Sequence, residues 1–178
     1  LLLGSALGAV SLSDFSVDLF IQAVALAIIP GLFTAIEELG WRGYLAPKVY
    51  NLGFNAFVAH AVVGLIWGGW HIPYFSVFWS HSMQNLSLFV LCFFLGAIAH
   101  SIVYGEIRMQ TDSVWPAFLM HAVSNAVNNT LLLQGFVKIA SGKELLVSPG
   151  IESILGIVFF TLIGIGIYRM RRKGTATD

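Results

Sequence analysis

Five stretches of mainly apolar residues, roughly 17–38, 54–73, 86–104, 115–133 and 151–168, account for most of this chain. Each is long enough to cross the hydrocarbon core of a bilayer as a helix, which takes about 20 residues. The breaks between them carry turn chemistry: Asn51-Leu52-Gly53, then Ser80 to Asn85, Gly105 to Ser113 and Ser141 to Gly150. Composition agrees. Hydrophobic residues make up 57% and charged residues 10%, against roughly 25% charged in a soluble domain. Too few charges remain to cover a water-facing surface. The expected architecture is all-α: a polytopic transmembrane helical bundle of five to six spans, with an intramembrane polar cavity, forming one domain over 1–178. Residues 1–10, "LLLGSALGAV", could belong to a further span and lack the basic region of a signal peptide.

Net charge is zero, so nothing electrostatic supports a nucleic-acid partner. The bilayer is the expected surroundings. The single cysteine, Cys92, excludes an internal disulfide and any CxxC metal site. The 169–178 tail is basic and expected to be irregular. Lysine and arginine mark the cytoplasmic side of membrane helices. Placing the C-terminus there and threading backwards puts Arg42, Lys48 and Arg108 inside and Lys138 and Lys143 outside. The expectation is a multi-pass integral protein with a cytoplasmic C-terminus, in the cell membrane if the source is prokaryotic.

Polar side chains are costly in a bilayer and usually face the protein interior or a wet cavity. Three groups stand out. "EELGWRG" holds Glu37, Glu38 and Arg42. In a helix Glu38 and Arg42 are one turn apart, in the favourable order for an ion pair, while Glu37 points about 100° away from Glu38. The arginine then neutralises one carboxylate more easily than both. A helix end whose three charges reach headgroups is the plainer alternative. "WGGWHIP" holds Trp67 and His71, again one turn apart, with Gly68 and Gly69 making room beside them; an interfacial histidine among belt aromatics is the alternative. "HAVSN" holds His121 and Asn125 on one face, which could bind an anion, a metal or a carbonyl oxygen, or bond a neighbouring helix. His60 is about three turns from His71 and too far to share its site. His81 lies in a loop, and His100 reads as a packing residue. Taken together, a carboxylate pair, two histidines and an asparagine on three spans make a functional-site hypothesis.

These three stretches resemble, in order, the EExxxR, FxxxH and HxxxN patterns of the CAAX protease and bacteriocin-processing family, also called ABI or CPBP. The resemblance covers about 30–130, the motif-bearing core. Trp67 stands where the family usually has Phe. The resemblance implies an intramembrane endopeptidase. Glu37 and His71 would activate a water for attack on the scissile carbonyl, His121 and Asn125 would stabilise the oxyanion, and Glu38, Arg42 and Trp67 would orient the site. A carboxylate in a low-dielectric site suits general-base work near neutral pH. Paired donors aimed at an oxyanion contribute about 3–4 kcal/mol each. The implied substrate is a peptide or the C-terminus of a lipidated protein. Relatives of the eukaryotic type cut prenylated CAAX proteins, and many prokaryotic ones serve bacteriocin maturation or self-immunity. No cofactor is favoured. Zinc on Glu37, His71 and His121 is the alternative, although no HExxH pair is present.

Two other function classes fit the composition. One is a proton-coupled transporter using Glu37, His71 and His121 as a relay; the other is a non-enzymatic membrane scaffold. Depth poses a further question. At 1.5 Å per residue, Glu37 lies roughly 20 Å from the turn near Asn51 and His71 roughly 25 Å, whereas His121 is only about 9 Å into a helix that starts at Trp115.

Overall fold

The computed structural model describes residues 2–12, 16–26, 28–73, 75, 85–133 and 135–174. The chain is mostly helical. Its order is α1 (Leu2–Ala6), β1 (Val10–Leu12), α2 (Val17–Leu26), α3 (Ile28–Glu38), a π-helical segment (Leu39–Leu45), α4 (Ala46–Tyr50), α5 (Ala56–Trp70), α6 (Leu86–Thr111), α7 (Trp115–Leu133), β2 (Val137–Ile139), α8 (Glu144–Val147) and α9 (Ile154–Gly174). Among the described residues, two helices are long and apolar enough to cross a membrane, Leu86–Thr111 and Ile154–Lys173, and Ala56–Trp70 is a shorter apolar helix.

Local chemistry sets the helix ends. The side chains of Asn55 and Asn85 accept from Val58 N and Leu88 N, each at 3.0 Å. Each thereby satisfies one of the amide groups that the first turn of a helix leaves without a partner. Asp112, in the left-handed conformation at φ 50°, ends α6 and accepts from Arg108 at 2.7 Å. The break expected from Gly105 therefore begins only after Thr111. The first apolar run does not stop at Glu38 either. It continues as a π-helix, in which the Ala46 amide donates to Trp41 O, and then as α4.

Three expectations need correction. The architecture is not purely helical: β1 and β2 pair antiparallel, with Val10 opposite Ile139 and Leu12 opposite Val137. Among the described residues of 1–10, only Leu2–Ala6 are helical: the helix stops at Ala6, Gly8 turns the chain at φ +63°, and Val10 enters the ribbon. The basic tail is helical as far as Gly174, because α9 continues through Arg171, Arg172 and Lys173.

Helix α6 is the centre of the assembly, packed against α5 on one side and α9 on the other. Small residues permit the approach. A β-carbon on Gly64 would lie 2.7 Å from Ile98 Cα, so the α5 and α6 backbones meet there. Gly68 faces Phe94, and His60 sits at Gly105, so α5 and α6 run antiparallel. Phe160 stacks on His100, Gly164 faces Ile102 and Arg171 reaches Glu106, so α9 runs parallel to α6. Large apolar side chains such as Leu32, Phe33, Ile36, Leu119, Val123 and Leu162 point outward. That outward face resembles a lipid-facing surface rather than a water-facing one.

Candidate active site

The site forms where α3 and its π-helical continuation meet α5, α6 and α7. A π turn is frequent at functional sites because its wider ring displaces side chains from ordinary α positions. Here it follows Glu38 directly and carries Arg42. Arg42 and Glu38 are fully buried, and Arg42 Nη1 donates to Glu38 Oε1 at 2.8 Å. The guanidinium lies over the rings of both Trp67 and Tyr104, 4.9 Å from each centroid. Two aromatic faces and one carboxylate thus hold its charge away from water.

The same carboxylate oxygen also receives His121. Its Nδ1 lies 2.8 Å from Glu38 Oε1. A carboxylate only accepts, so Nδ1–H donates. One turn further along both helices, Asn125 Nδ2 donates to Thr34 Oγ1 at 3.2 Å. Thr34 and Glu38 are four residues apart on α3, as are His121 and Asn125 on α7, so the antiparallel helices make two rungs in register. This settles the depth question. A β-carbon on Gly43 would meet Val114 Cγ2 at 3.6 Å. Helix α7 therefore starts level with Gly43, deeper than the Asn51 turn, and His121 arrives opposite Glu38.

Trp67 is the hub. Its ring centroid lies 5.8 Å from that of His71 and 5.3 Å from that of His121. The two imidazoles can be no farther apart than those distances combined. The indole Nε1 donates to Glu37 Oε2 at 3.3 Å. Phe, the family's usual residue at this position, has no such donor. Glu37 is half-buried, in contrast to Glu38 beside it. His71 Nδ1 lies 2.8 Å from Trp67 O, a backbone carbonyl. Nδ1–H must donate there, so in the neutral tautomer Nε2 is the acceptor nitrogen. Glu37, Glu38, Arg42, Trp67, His71 and His121 thus gather about one indole. Asn125 stands one turn away from His121 and is held by Thr34.

The sequence held no signal for Thr34 or Tyr104. Tyr104 lies nearly parallel to His121, at 5.5 Å and 27°. His60 is outside this cluster: its Nε2 meets Glu106 Oε1 at 2.8 Å and its Nδ1 meets Tyr50 Oη at 3.1 Å. His100 packs at 3.7 Å on the Phe160 ring. His81 lies outside the described residues. Among the described residues, no three His, Cys, Asp or Glu side chains are grouped to hold a metal ion.

A description of type II CAAX prenyl endopeptidases of the Rce1-like type matches residues 16–127, the region that contains all three motifs. CAAX prenyl protease 2 of Methanococcus maripaludis is 28% identical over 156 residues. That alignment covers 85% of this chain and 56% of the relative, so the chain spans little more than half the relative's length. No solved structure matches it. With the family match extending over well more than half of the sequence, the chain belongs to the Rce1-like family of type II CAAX prenyl endopeptidases.

Proposed function

We propose that this chain is a multi-pass intramembrane endopeptidase that hydrolyses a peptide bond near the C-terminus of a prenylated or otherwise lipidated protein. Glu37 is the general base. It takes a proton from water as the water oxygen attacks the scissile carbonyl, with His71 Nε2 accepting the second water hydrogen. The negative charge that develops on the carbonyl oxygen is met by His121 Nε2–H and an Asn125 amide hydrogen. His121 already donates from Nδ1 to Glu38. For Nε2 to donate as well, the ring must carry both protons, and the Glu38 carboxylate at 2.8 Å is the counter-charge that such an imidazolium needs. As the C–N bond breaks, Glu37 returns its proton to the leaving amine. Water alone supplies the nucleophile, which makes this a glutamate-type mechanism.

The observation that carries this reading is the Glu38–His121 contact across 83 residues of sequence. It joins the first motif to the third, and Trp67 then brings in the second. Orientation is inferred from charge. The ends of α4, α6 and α9 lie together, so Lys48, Arg108, Arg172 and Lys173 share one end of the bundle, while Lys138 and Lys143 lie beyond the far end of α7. That asymmetry supports a cytoplasmic C-terminus. The test is cleavage of a fluorogenic farnesylated CAAX peptide by purified protein in detergent. The proposal expects the peptide to be cut between the prenylated cysteine and the three residues after it. Absence of any cleavage by folded protein, across prenylated and unprenylated peptides, would overturn it.

A further inference from the structure

We infer that Thr34 is a positioning residue for Asn125, deciding which end of its amide faces the substrate; this rests on the oxyanion role proposed above. An asparagine side chain is nearly symmetric in shape but opposite in character at its two ends, with Nδ2 donating and Oδ1 accepting. Rotation of about 180° around the terminal torsion exchanges them. An oxyanion donor therefore requires something that makes one orientation favourable. Thr34 supplies it through the commitment of its own hydroxyl. Thr34 is fully buried on α3, and its Oγ1–H donates to Pro30 O at 3.1 Å. A hydroxyl has one hydrogen. With that hydrogen on the Pro30 carbonyl, Oγ1 can only accept, and it accepts from Asn125 Nδ2 at 3.2 Å. The flipped amide would set Oδ1 against Oγ1, two acceptors in a buried space. One Nδ2 hydrogen is spent on Thr34, and the second is the one presented to the developing charge.

The geometry makes this specific to position 34. Thr34 is one turn before Glu38 and on the same face, and Asn125 is one turn after His121. Glu38 holds His121 by the rung described above, and Thr34 holds Asn125 by the next. Each oxyanion group thus has its own α3 partner, and the EExxxR pattern contains only one of the two. Threonine in a membrane helix ordinarily bonds back to its own backbone and requires no partner. Only the register of α3 against α7 gives this hydroxyl a second role.

The experiment compares Thr34→Val, Thr34→Ala, Thr34→Ser and Asn125→Ala, with the double variant Thr34→Val/Asn125→Ala, on the farnesylated CAAX peptide. Valine keeps the shape and removes the acceptor. Losing one oxyanion donor costs about 100- to 1,000-fold in kcat, so Asn125→Ala should fall in that range. Thr34→Val and Thr34→Ala, which let the amide turn but keep the donor, should lower kcat about 10- to 100-fold, less than losing the donor itself, with KM changed less than about twofold. Thr34→Ser should recover kcat to within about threefold of the parent. The double variant should be no slower than Asn125→Ala alone, because the two residues act as one unit. Parental kcat in both Thr34→Val and Thr34→Ala, or a further 10-fold loss in the double variant, would overturn the positioning role while leaving the oxyanion reading in place. Parental kcat in Asn125→Ala would overturn both.

Discussion

Arg171→Met should destabilise the protein strongly, although Arg171 lies far from the proposed chemistry. Glu106 is fully buried near the end of α6. Arg171 Nε donates to its Oε2 at 2.7 Å and Nη2 to its Oε1 at 3.1 Å, a two-point grip across 65 residues. Behind it, His60 Nε2 donates to Oε1, and Tyr50 O–H donates to His60 Nδ1. The four side chains tie α9 to α4, α5 and α6. Removing one member of a buried pair costs about 3–5 kcal/mol, because the other charge stays buried. His60 still supports Glu106 in the variant, so the low end, about 3 kcal/mol, applies. For a chain of this size that is a fall of roughly 6–12 °C in melting temperature. Arg171 is more exposed than Glu106, with 18% of its side chain accessible against 0%. Glu106→Gln should therefore cost less, since the arginine left behind can reach headgroups. Arg171→Met/Glu106→Leu should melt above Arg171→Met, as an apolar pair replaces a stranded charge. Thermal unfolding in detergent, followed by circular dichroism, reads all three. Melting of Arg171→Met within 2 °C of the parent, a shift of at most about 1 kcal/mol, would refute the buried-pair argument. So would a double variant that melts lower than Arg171→Met.

The two adjacent glutamates should separate. Glu38→Gln weakens the anchor of both Arg42 and His121, and Arg42→Met strands Glu38, so each should lower melting temperature and turnover together, by about 3–5 kcal/mol in stability. Normal stability in both variants would mean that this ion pair holds little of the fold. Exhaustive chelation should leave cleavage intact. Stoichiometric zinc that leaves with activity and restores it on return would replace the glutamate-type mechanism with a metal-dependent one.

What the sequence revealed, and what it hid, follows from the range of each signal. The i, i+4 spacing of Glu38 with Arg42 made their ion pair foreseeable, because one helix turn suffices to place them. The spacing of His121 with Asn125 likewise put them on one face. Which helix that face meets depends on register between α3 and α7, and no local pattern carries it. Thr34 was hidden for that reason. So was the pairing of His60 with Glu106: the glutamate reads as a charge in a turn, and Arg171 reads as part of a basic tail, until α9 is laid parallel to α6. The π turn after Glu38 leaves only Gly40 and Gly43 as hints of a bend, since π and α turns accept the same residues. The β1–β2 ribbon is three residues on each strand, too short for a period-2 pattern to emerge.

The most direct test of the account is Glu37→Gln, measured for peptide cleavage and thermal stability on the same preparation. Glutamine keeps the shape and an oxygen for the Trp67 indole, and it removes the base. Glu37 is only half-buried, and the bond it accepts from the Trp67 indole is one that glutamine can also accept. The account predicts loss of cleavage by at least about 100-fold, the low end of what a positioned base contributes, with a melting temperature equal to or above that of the parent. Cleavage at the parental rate by folded Glu37→Gln protein would contradict it.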